Sequence, residues 1–261
     1  MSTLDEALRR LAGQARSDGV LVALDFDGVL APLVDDPSTS RPLPEASRAL
    51  DRLAAASVHL AVVSGRPLAD VARLSRPPSG TFVVGSHGAE RGTWTDGRLE
   101  TVELALDPAE ADLLAELGTR LAAQVAGSTG RLERKPAAVV VHTRTATPDD
   151  AARLTAAALA LGDRDGVDVL RGKNVIELSV LDVTKGRALE TLRSELAVQG
   201  LLYAGDDVTD ERAFTALRPQ DVTVKVGPGT TAARWRVADP AELAAVLGRL
   251  ADLVERGRAP G

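Results

Sequence analysis

The chain of 261 residues is 44% hydrophobic and 26% charged, enough apolar material for one large domain or a domain with an insertion. Its 37 acidic residues outnumber 31 basic ones, for a net charge of −6, which argues against a nucleic-acid partner. Cysteine is absent, which excludes disulfide frameworks and thiolate metal sites, and no apolar run approaches the ~18 residues that a membrane span needs.

Met1 to Gln14 sets Asp5, Glu6, Arg9 and Arg10 among leucines and reads as an amphipathic helix, not a signal peptide. A soluble, cytoplasmic protein with no membrane partner is expected. Val20 to Leu24 is a short apolar run that predicts a fully buried strand, followed at once by Asp25, Asp27 and Gly28. Pro44 to Ala56 has helical spacing, Val58 to Val63 is a second buried run ending in Ser64-Gly65-Arg66-Pro67, and Leu68 to Leu74 reads as a short helix. Thr81 to Val84 is a third run, and the Asp96-Gly97 pair after Trp94 signals a hairpin. This alternation of strands and helices implies a parallel sheet covered on both faces.

The rhythm changes near Asp107, the expected N-cap of a long helix over Pro108 to Val125. Arg131 to Lys135 and Ala137 to Thr143 alternate as strands, Asp149 to Leu161 is helical behind Pro148, and Val167 to Leu170 and Asn174 to Ser179 are two further strands. Such an order suggests a small α+β module with a mostly antiparallel sheet. The α/β rhythm then returns. Thr184 caps a helix to about Val198, Leu201 to Ala204 is a strand, Val208 to Leu217 a helix, Val222 to Val226 a strand, and Pro240 to Glu255 a closing helix before a frayed tail, Arg256 to Gly261. The expected fold class is α/β: a core of residues 1–105 and 182–261 with an α+β module inserted at 106–181.

In a doubly wound sheet, ligands bind beyond the C-terminal strand ends. Four polar clusters fall there: Asp25 with Asp27, Ser64, the Thr184-Lys185 helix start, and Asp206, Asp207 and Asp210. The carboxylates suit a hard cation such as Mg2+, and the lysine and hydroxyl suit phosphate oxygens. Together they describe phosphoryl transfer. Each cluster alone has a plainer reading: an Asp-Gly turn, a strand-end turn, a solvated lysine, or acids that favour a helix dipole.

All four in order, as Asp25-Phe-Asp27-Gly28, Ser64-Gly65-Arg66, Lys185-Gly186 and Gly205-Asp206-Asp207-Val-Thr-Asp210-Glu211, resemble the haloacid dehalogenase (HAD) superfamily of phosphatases. The resemblance implies a HAD-like doubly wound parallel sheet core with an inserted cap domain. It implies Asp25 as nucleophile, forming an aspartyl-phosphate, and Asp27 as general acid and base. It implies Mg2+ held by Asp25, the Asp27 main-chain carbonyl and Asp206, with Asp207 and Asp210 beside it. Ser64 and Lys185 would bind the phosphoryl group. Val29 stands where many members carry Thr.

Over nearly its whole length the chain is also similar to trehalose-6-phosphate phosphatases. That likeness rests on Asp25 to Val34 with Asp36-Pro37, Ser64 to Pro67, Gly85-Ser-His87-Gly-Ala-Glu90, Glu133-Arg-Lys135, His142-Thr-Arg144 and Gly172-Lys173-Asn-Val-Ile-Glu177. It implies that Glu133, Lys135, Lys173 and Glu177 bind sugar hydroxyls, with Arg66 and His87 at the mouth. Glu133 and Lys135 are two apart on an expected strand and so share a face; Lys173 and Glu177 share one if their strand is unbroken. A solvated face with cross-strand ion pairs fits the same residues, and His87, His142 and His59 also read as structural. Ser179-Val180 and Ser86 depart from the family's usual pattern, which bears on the sugar more than on the chemistry. The implied ligand is a small sugar phosphate and the implied assembly a monomer. Other readings are a phosphatase of the sucrose-phosphate or mannosyl-phosphoglycerate type, or a non-catalytic phosphosugar-binding module.

Overall fold

A computed structural model of the protein describes residues 3–17, 19–102, 106–181 and 184–257. Residues next to the expected insertion junctions, 103–105 and 182–183, the start of the expected first helix at Met1 and Ser2, and the tail from 258 lie outside the described residues. In chain order the elements are α1 (Leu4–Ser17), β1 (Val20–Leu24), α2 (Pro44–Ala55), β2 (His59–Val63), α3 (Leu68–Ser75), β3 (Thr81–Gly85), β4 (Glu90–Thr95) and β5 (Arg98–Val102). There follow α4 (Pro108–Val125), β6 (Arg131–Lys135), β7 (Ala138–His142), α5 (Pro148–Gly162), β8 (Asp168–Gly172) and β9 (Val175–Ser179). The chain continues with α6 (Lys185–Leu196), β10 (Gly200–Gly205), α7 (Val208–Ala216), β11 (Val222–Val226), β12 (Trp235–Val237) and α8 (Pro240–Arg256). Among the described residues no helix is long and apolar enough to cross a membrane. Two compact units result, one of Met1–Val102 with Thr184–Gly261 and one of Glu103–Val183.

The first unit is built on an eight-stranded sheet in the order β12-β11-β10-β1-β2-β3-β4-β5. The six strands from β12 to β3 are parallel, and β4 and β5 close one edge as an antiparallel hairpin around Asp96-Gly97. β1 is buried at all five residues. Val20, Val22 and Leu24 point into one apolar cluster, with the buried faces of α1, α2, α3 and α8. Leu21 and Ala23 point into the other, with Leu189 and Leu192 of α6 and Phe214 of α7. Two covered faces explain why this strand reads as an unbroken apolar run. From β1 the chain first moves outward on one side, to β2 and β3, and later fills the other side with β10 and β11. The order therefore reverses at β1, and its C-terminal end is the switch point where such sheets bind ligands. β12 has only three residues, too few for a periodic signal, and no strand is expected there from the sequence.

The second unit is a four-stranded antiparallel sheet, β6-β7-β9-β8, with α4 and α5 on one face. Val139, Val141, Ile176 and Leu178 pack against Leu117, Leu121, Leu154 and Ala158 of the helices. Both helix starts are capped, α4 at the expected Asp107. Asp107 and Glu110 form a reciprocal capping box on α4, and the Thr147 side chain accepts from Asp150 N on α5. In an antiparallel sheet, directly opposed residues point to the same side. Glu133 of β6, Val140 of β7 and Glu177 of β9 are opposed in this way, so they share the face away from the helices, with Lys135 and His142 at the neighbouring positions of that face. Lys173 is not on β9, which begins at Val175; it lies in the exposed turn after Gly172, where Asn174 has φ +60°. Lys173 and Glu177 would share a face only on an unbroken strand; the turn at Lys173-Asn174 interrupts it, so the shared face does not arise.

Candidate active site

β1 delivers Asp25 to the switch point. Its amide donates to Ala204 O of β10 (3.0 Å), and its Oδ1 accepts from the Phe26 amide (2.5 Å). Its Oδ2 accepts from Lys185 Nζ at 2.6 Å. Lys185 is the first residue of α6, where the helix dipole disfavours a cation, and only 1% of its side chain is exposed. The carboxylates offset both costs. Besides Asp25, Lys185 Nζ reaches Asp210 Oδ1 at 2.7 Å and Asp207 Oδ1 at 3.7 Å. Burial works against the Lys185 charge, but Asp25, Asp210 and Asp207 outweigh it and hold the ammonium above the usual lysine range. Burial pushes Asp25 up, and Lys185 opposes it.

Asp210 is the hub of the second layer. It is the third residue of α7 and is fully buried. Its Oδ1 accepts from Lys185 and from Tyr203 OH (2.5 Å); its Oδ2 accepts from the amides of Asp206 (2.8 Å) and Asp207 (3.0 Å). Gly205 makes room for it, since a Cβ there would lie 2.2 Å from the Asp210 carboxyl carbon. Four donors fill the four acceptor positions of a carboxylate. Asp207 caps α7: its Oδ1 accepts from Asp210 N (3.0 Å) and Thr209 Oγ1 (2.6 Å). Burial opposes its charge, yet Lys185, Thr209 and the Asp210 amide hold it down to about 2.

Oxygen atoms of Asp25, Asp206 and Asp210 lie within 4.8 Å of one another. Asp206 is pushed up to about 7, by burial first and then by Asp210 and Asp207. Gly28, at φ +71°, faces it so closely that a Cβ would lie 2.1 Å from Asp206 Oδ2. Carboxylates crowded this way, without enough cationic neighbours to neutralise them, form an oxygen donor set for a hard divalent cation. Because Asp210 is saturated by its four donors, Asp25 and Asp206 are the side chains with capacity to hold an ion. Behind Asp206, buried Lys225 of β11 donates to the Asp206 main-chain oxygen and lies 3.3 Å from Glu211 Oε1.

The other predicted residues of this unit line the same strand ends. Asp27 Oδ2 and Oδ1 accept from Arg66 Nε (2.5 Å) and Nη2 (2.7 Å), and Ser40 Oγ adds a third bond to Oδ1 (3.0 Å). Ser64 is buried at the end of β2, the strand beside β1. Its carbonyl accepts from the His87 amide (3.0 Å) and its Oγ from the Arg66 amide (3.3 Å). Ser86 and His87 both have positive φ, +47° and +58°, and a Cβ on Gly65 would lie 2.4 Å from the His87 ring. Ser86 Oγ donates to Glu90 Oε2 (2.5 Å), which also accepts from the Leu68 amide (3.2 Å), so serine ties this turn to the start of α3. Val29 is buried in the apolar cluster.

The second unit holds its predicted residues by itself. Lys135 Nζ bonds Glu177 Oε2 at 2.7 Å, and His142 Nε2 lies 2.7 Å from Glu133 Oε2. Burial raises Glu133, but His142, Lys135 and Arg131 outweigh it and leave it below the usual range. Lys173 takes no part in these pairs, because it stands in the exposed turn. Val180 is buried in the apolar cluster, and Ser179 Oγ donates to Leu181 O (3.0 Å).

Ser40, Tyr203, Lys225 and Glu211 were not singled out as site residues in the sequence. Tyr203 was the one with a signal: it is the only tyrosine, on the strand that ends in Gly205-Asp206.

The family model described as trehalose-phosphatase matches residues 23–244. The chain belongs to the trehalose-phosphatase family. A trehalose-phosphate phosphatase of Mycobacterium avium is 39% identical over 277 residues, covering 98% of this chain and 69% of its own length. Among solved structures, the C-terminal domain of Candida albicans trehalose-6-phosphate phosphatase superposes with a TM-score of 0.72 at 25% identity, over 97% of this chain and 98% of that one. A haloacid dehalogenase-like hydrolase from Bacteroides thetaiotaomicron, 16% identical, shares the fold with a TM-score of 0.61 over 91% of this chain and 99% of its own. The α/β core is thus HAD-like, and family membership makes the chain a phosphoric monoester hydrolase.

Proposed function

We propose that this phosphatase hydrolyses trehalose 6-phosphate to trehalose and phosphate, depends on Mg2+, and works through a phosphoenzyme on Asp25. The observation that supports it most is the Asp25 carboxylate, 2.6 Å from Lys185 and clustered with Asp206, in a chain of the trehalose-phosphatase family. Asp25 attacks phosphorus, forming a P–O bond as the bond to the sugar oxygen breaks. Asp27 gives its proton to the departing alkoxide. It then takes a proton from water as that water attacks phosphorus, which returns Asp25 and releases phosphate. Lys185 and Ser64 bind the phosphoryl oxygens, and Lys185 offsets the repulsion between Asp25 and the phosphate. Mg2+, held by Asp25, Asp206 and the Asp27 main-chain carbonyl, would neutralise charge on the transferring group. Asp207 and Asp210 orient these ligands.

The second unit acts as the cap domain and supplies sugar selectivity. Its Glu133, Lys135 and Glu177 lie on one sheet face as paired donors and acceptors, and Lys173 adds a cation from the neighbouring turn. With aromatic residues at only 2%, hydrogen bonding rather than ring stacking carries recognition. Arg66 and His87 belong to the loops at the entrance.

A panel of phosphosugars, assayed for phosphate release with and without chelator, tests the reading. We expect trehalose 6-phosphate to be preferred over glucose 6-phosphate, sucrose 6-phosphate and mannosyl-phosphoglycerate, and all turnover to stop with chelator. Equal rates on trehalose 6-phosphate and glucose 6-phosphate would overturn the substrate, and turnover in chelator would overturn the metal.

A further inference from the structure

We propose that Arg66 is a positioning residue for the reaction: its guanidinium takes one position on each Asp27 oxygen and, with Ser40 on Oδ1, leaves one position on Oδ2, where the proton given to the leaving group and regained from water is held. The inference rests on the reading of Asp27 as acid and base.

Every nitrogen of the Arg66 guanidinium is engaged within its own unit. Nε and Nη2 hold the two oxygens of Asp27 in parallel, and Nη1 donates to Pro37 O at 2.8 Å. The guanidinium carbon also lies 5.5 Å from the centroid of the Phe26 ring, between the two aspartates in sequence. The Arg66 main chain is fixed in turn, its amide donating to Ser64 Oγ and its carbonyl accepting from Ser86 N (2.8 Å). Asp27 itself stands on a short loop before Gly28, and fully buried Ser40 is its other side-chain donor. Without Arg66 the carboxylate keeps one hydrogen bond of three and loses the planar fork that sets its rotation. A lysine cannot replace that fork, because an ammonium is a point charge. Three of the five Arg66 N–H donors are used within its own unit, two of them as a planar fork on Asp27, so the geometry of this arginine is set by Asp27.

The test uses the whole enzyme and phosphate monoesters without sugar hydroxyls, from p-nitrophenyl through phenyl to a simple alkyl phosphate. Here kcat/KM covers the steps up to release of the alcohol. An alkoxide needs a proton as it leaves, whereas p-nitrophenolate departs as a stable anion. We expect Arg66→Ala to lose about 10- to 100-fold on the alkyl ester, part of the usual worth of a general acid, and less than about threefold on the p-nitrophenyl ester. Arg66→Lys should fall with Arg66→Ala, and Ser40→Ala should move in the same direction by less. Asp27→Asn sets the benchmark for the full effect. Equal losses on all esters, no loss on the alkyl ester, or rescue by Arg66→Lys would each overturn the positioning role while leaving the Asp27 reading intact. If Asp27→Asn itself leaves the leaving-group dependence unchanged, the acid–base reading falls and the positioning role falls with it. Should Arg66→Ala not fold, Arg66→Lys and Ser40→Ala decide the matter by the same criteria.

Discussion

Lys185 and Lys135 each bond a carboxylate at nearly the same distance, 2.6 Å to Asp25 and 2.7 Å to Glu177. Their surroundings differ. Lys185 and Asp25 are 1% and 5% exposed, and the pair is closed off by Asp210, itself saturated by Tyr203 and two amides. Lys135 and Glu177 are 10% and 12% exposed, beside the Glu133–His142 pair at 28% and 29%. The first cluster is a charge arrangement held in place by protein groups on several sides. In the function proposed above, the second exchanges its protein hydrogen bonds for those of the sugar. Fixed charge suits bond breaking, and exchangeable pairs suit recognition.

Variants can break this contrast, and the largest effect is expected at the nucleophile. Asp25→Asn should cut turnover on the order of 10⁴-fold or more, as loss of other enzymes' nucleophiles does, while circular dichroism stays that of the native fold. Next comes Lys185→Ala. Removing one partner of a buried ionic cluster costs about 3–5 kcal/mol, so thermal unfolding should shift down by roughly 6–20 °C for a chain of this size. A shift of only a degree or two would show that the cluster is wetter than its geometry implies.

Asp206→Asn sharpens the contrast in the opposite direction. The Asp206 carboxyl is raised to about 7 in the folded protein, so it favours folding most below the unfolded value of ~4 and loses that contribution as pH rises through about 7. The metal-free wild type should therefore lose stability over that window, and Asp206→Asn should lose less. Metal-free melts at pH 5 and pH 8 check this: the variant should be the more stable of the two at pH 8, and Mg2+ should raise the wild-type melting temperature but not the variant's. The smallest stability effect is expected in the second unit. Glu133→Ala should cost under about 1 kcal/mol, as half-exposed pairs do, yet raise KM for trehalose 6-phosphate about tenfold. p-Nitrophenyl phosphate kinetics on the same variant should stay unchanged.

Much of the first unit was legible because its signals are local. The run Val20–Leu24 reads as a buried strand on its own and Asp96-Gly97 as a hairpin turn; in the second unit, Asp107 reads as a helix start in the same local way. The acids and Lys185 were legible through their spacing relative to these elements. What local pattern does not carry is which distant groups meet. Ser40 reaches Asp27 across 13 positions and Lys225 reaches Asp206 across 19, and neither sits in a recognisable motif. Tyr203 stands out as the only tyrosine, but nothing local shows that Asp210 turns back to meet it. Lys173 would share the Glu177 face only on an unbroken strand, and the turn at Lys173-Asn174, with Asn174 at φ +60°, keeps Lys173 off that face.

The central claim is that Asp25 becomes covalently phosphorylated. The most direct test is to quench the enzyme in acid during turnover of trehalose 6-phosphate, reduce it with borohydride, and map the peptides by mass. An aspartyl-phosphate reduces to homoserine, so the account predicts that conversion at residue 25, dependent on both substrate and Mg2+ and absent in Asp25→Asn. Conversion at Asp27 or Asp206 instead, or none in an enzyme shown to be turning over, would contradict it.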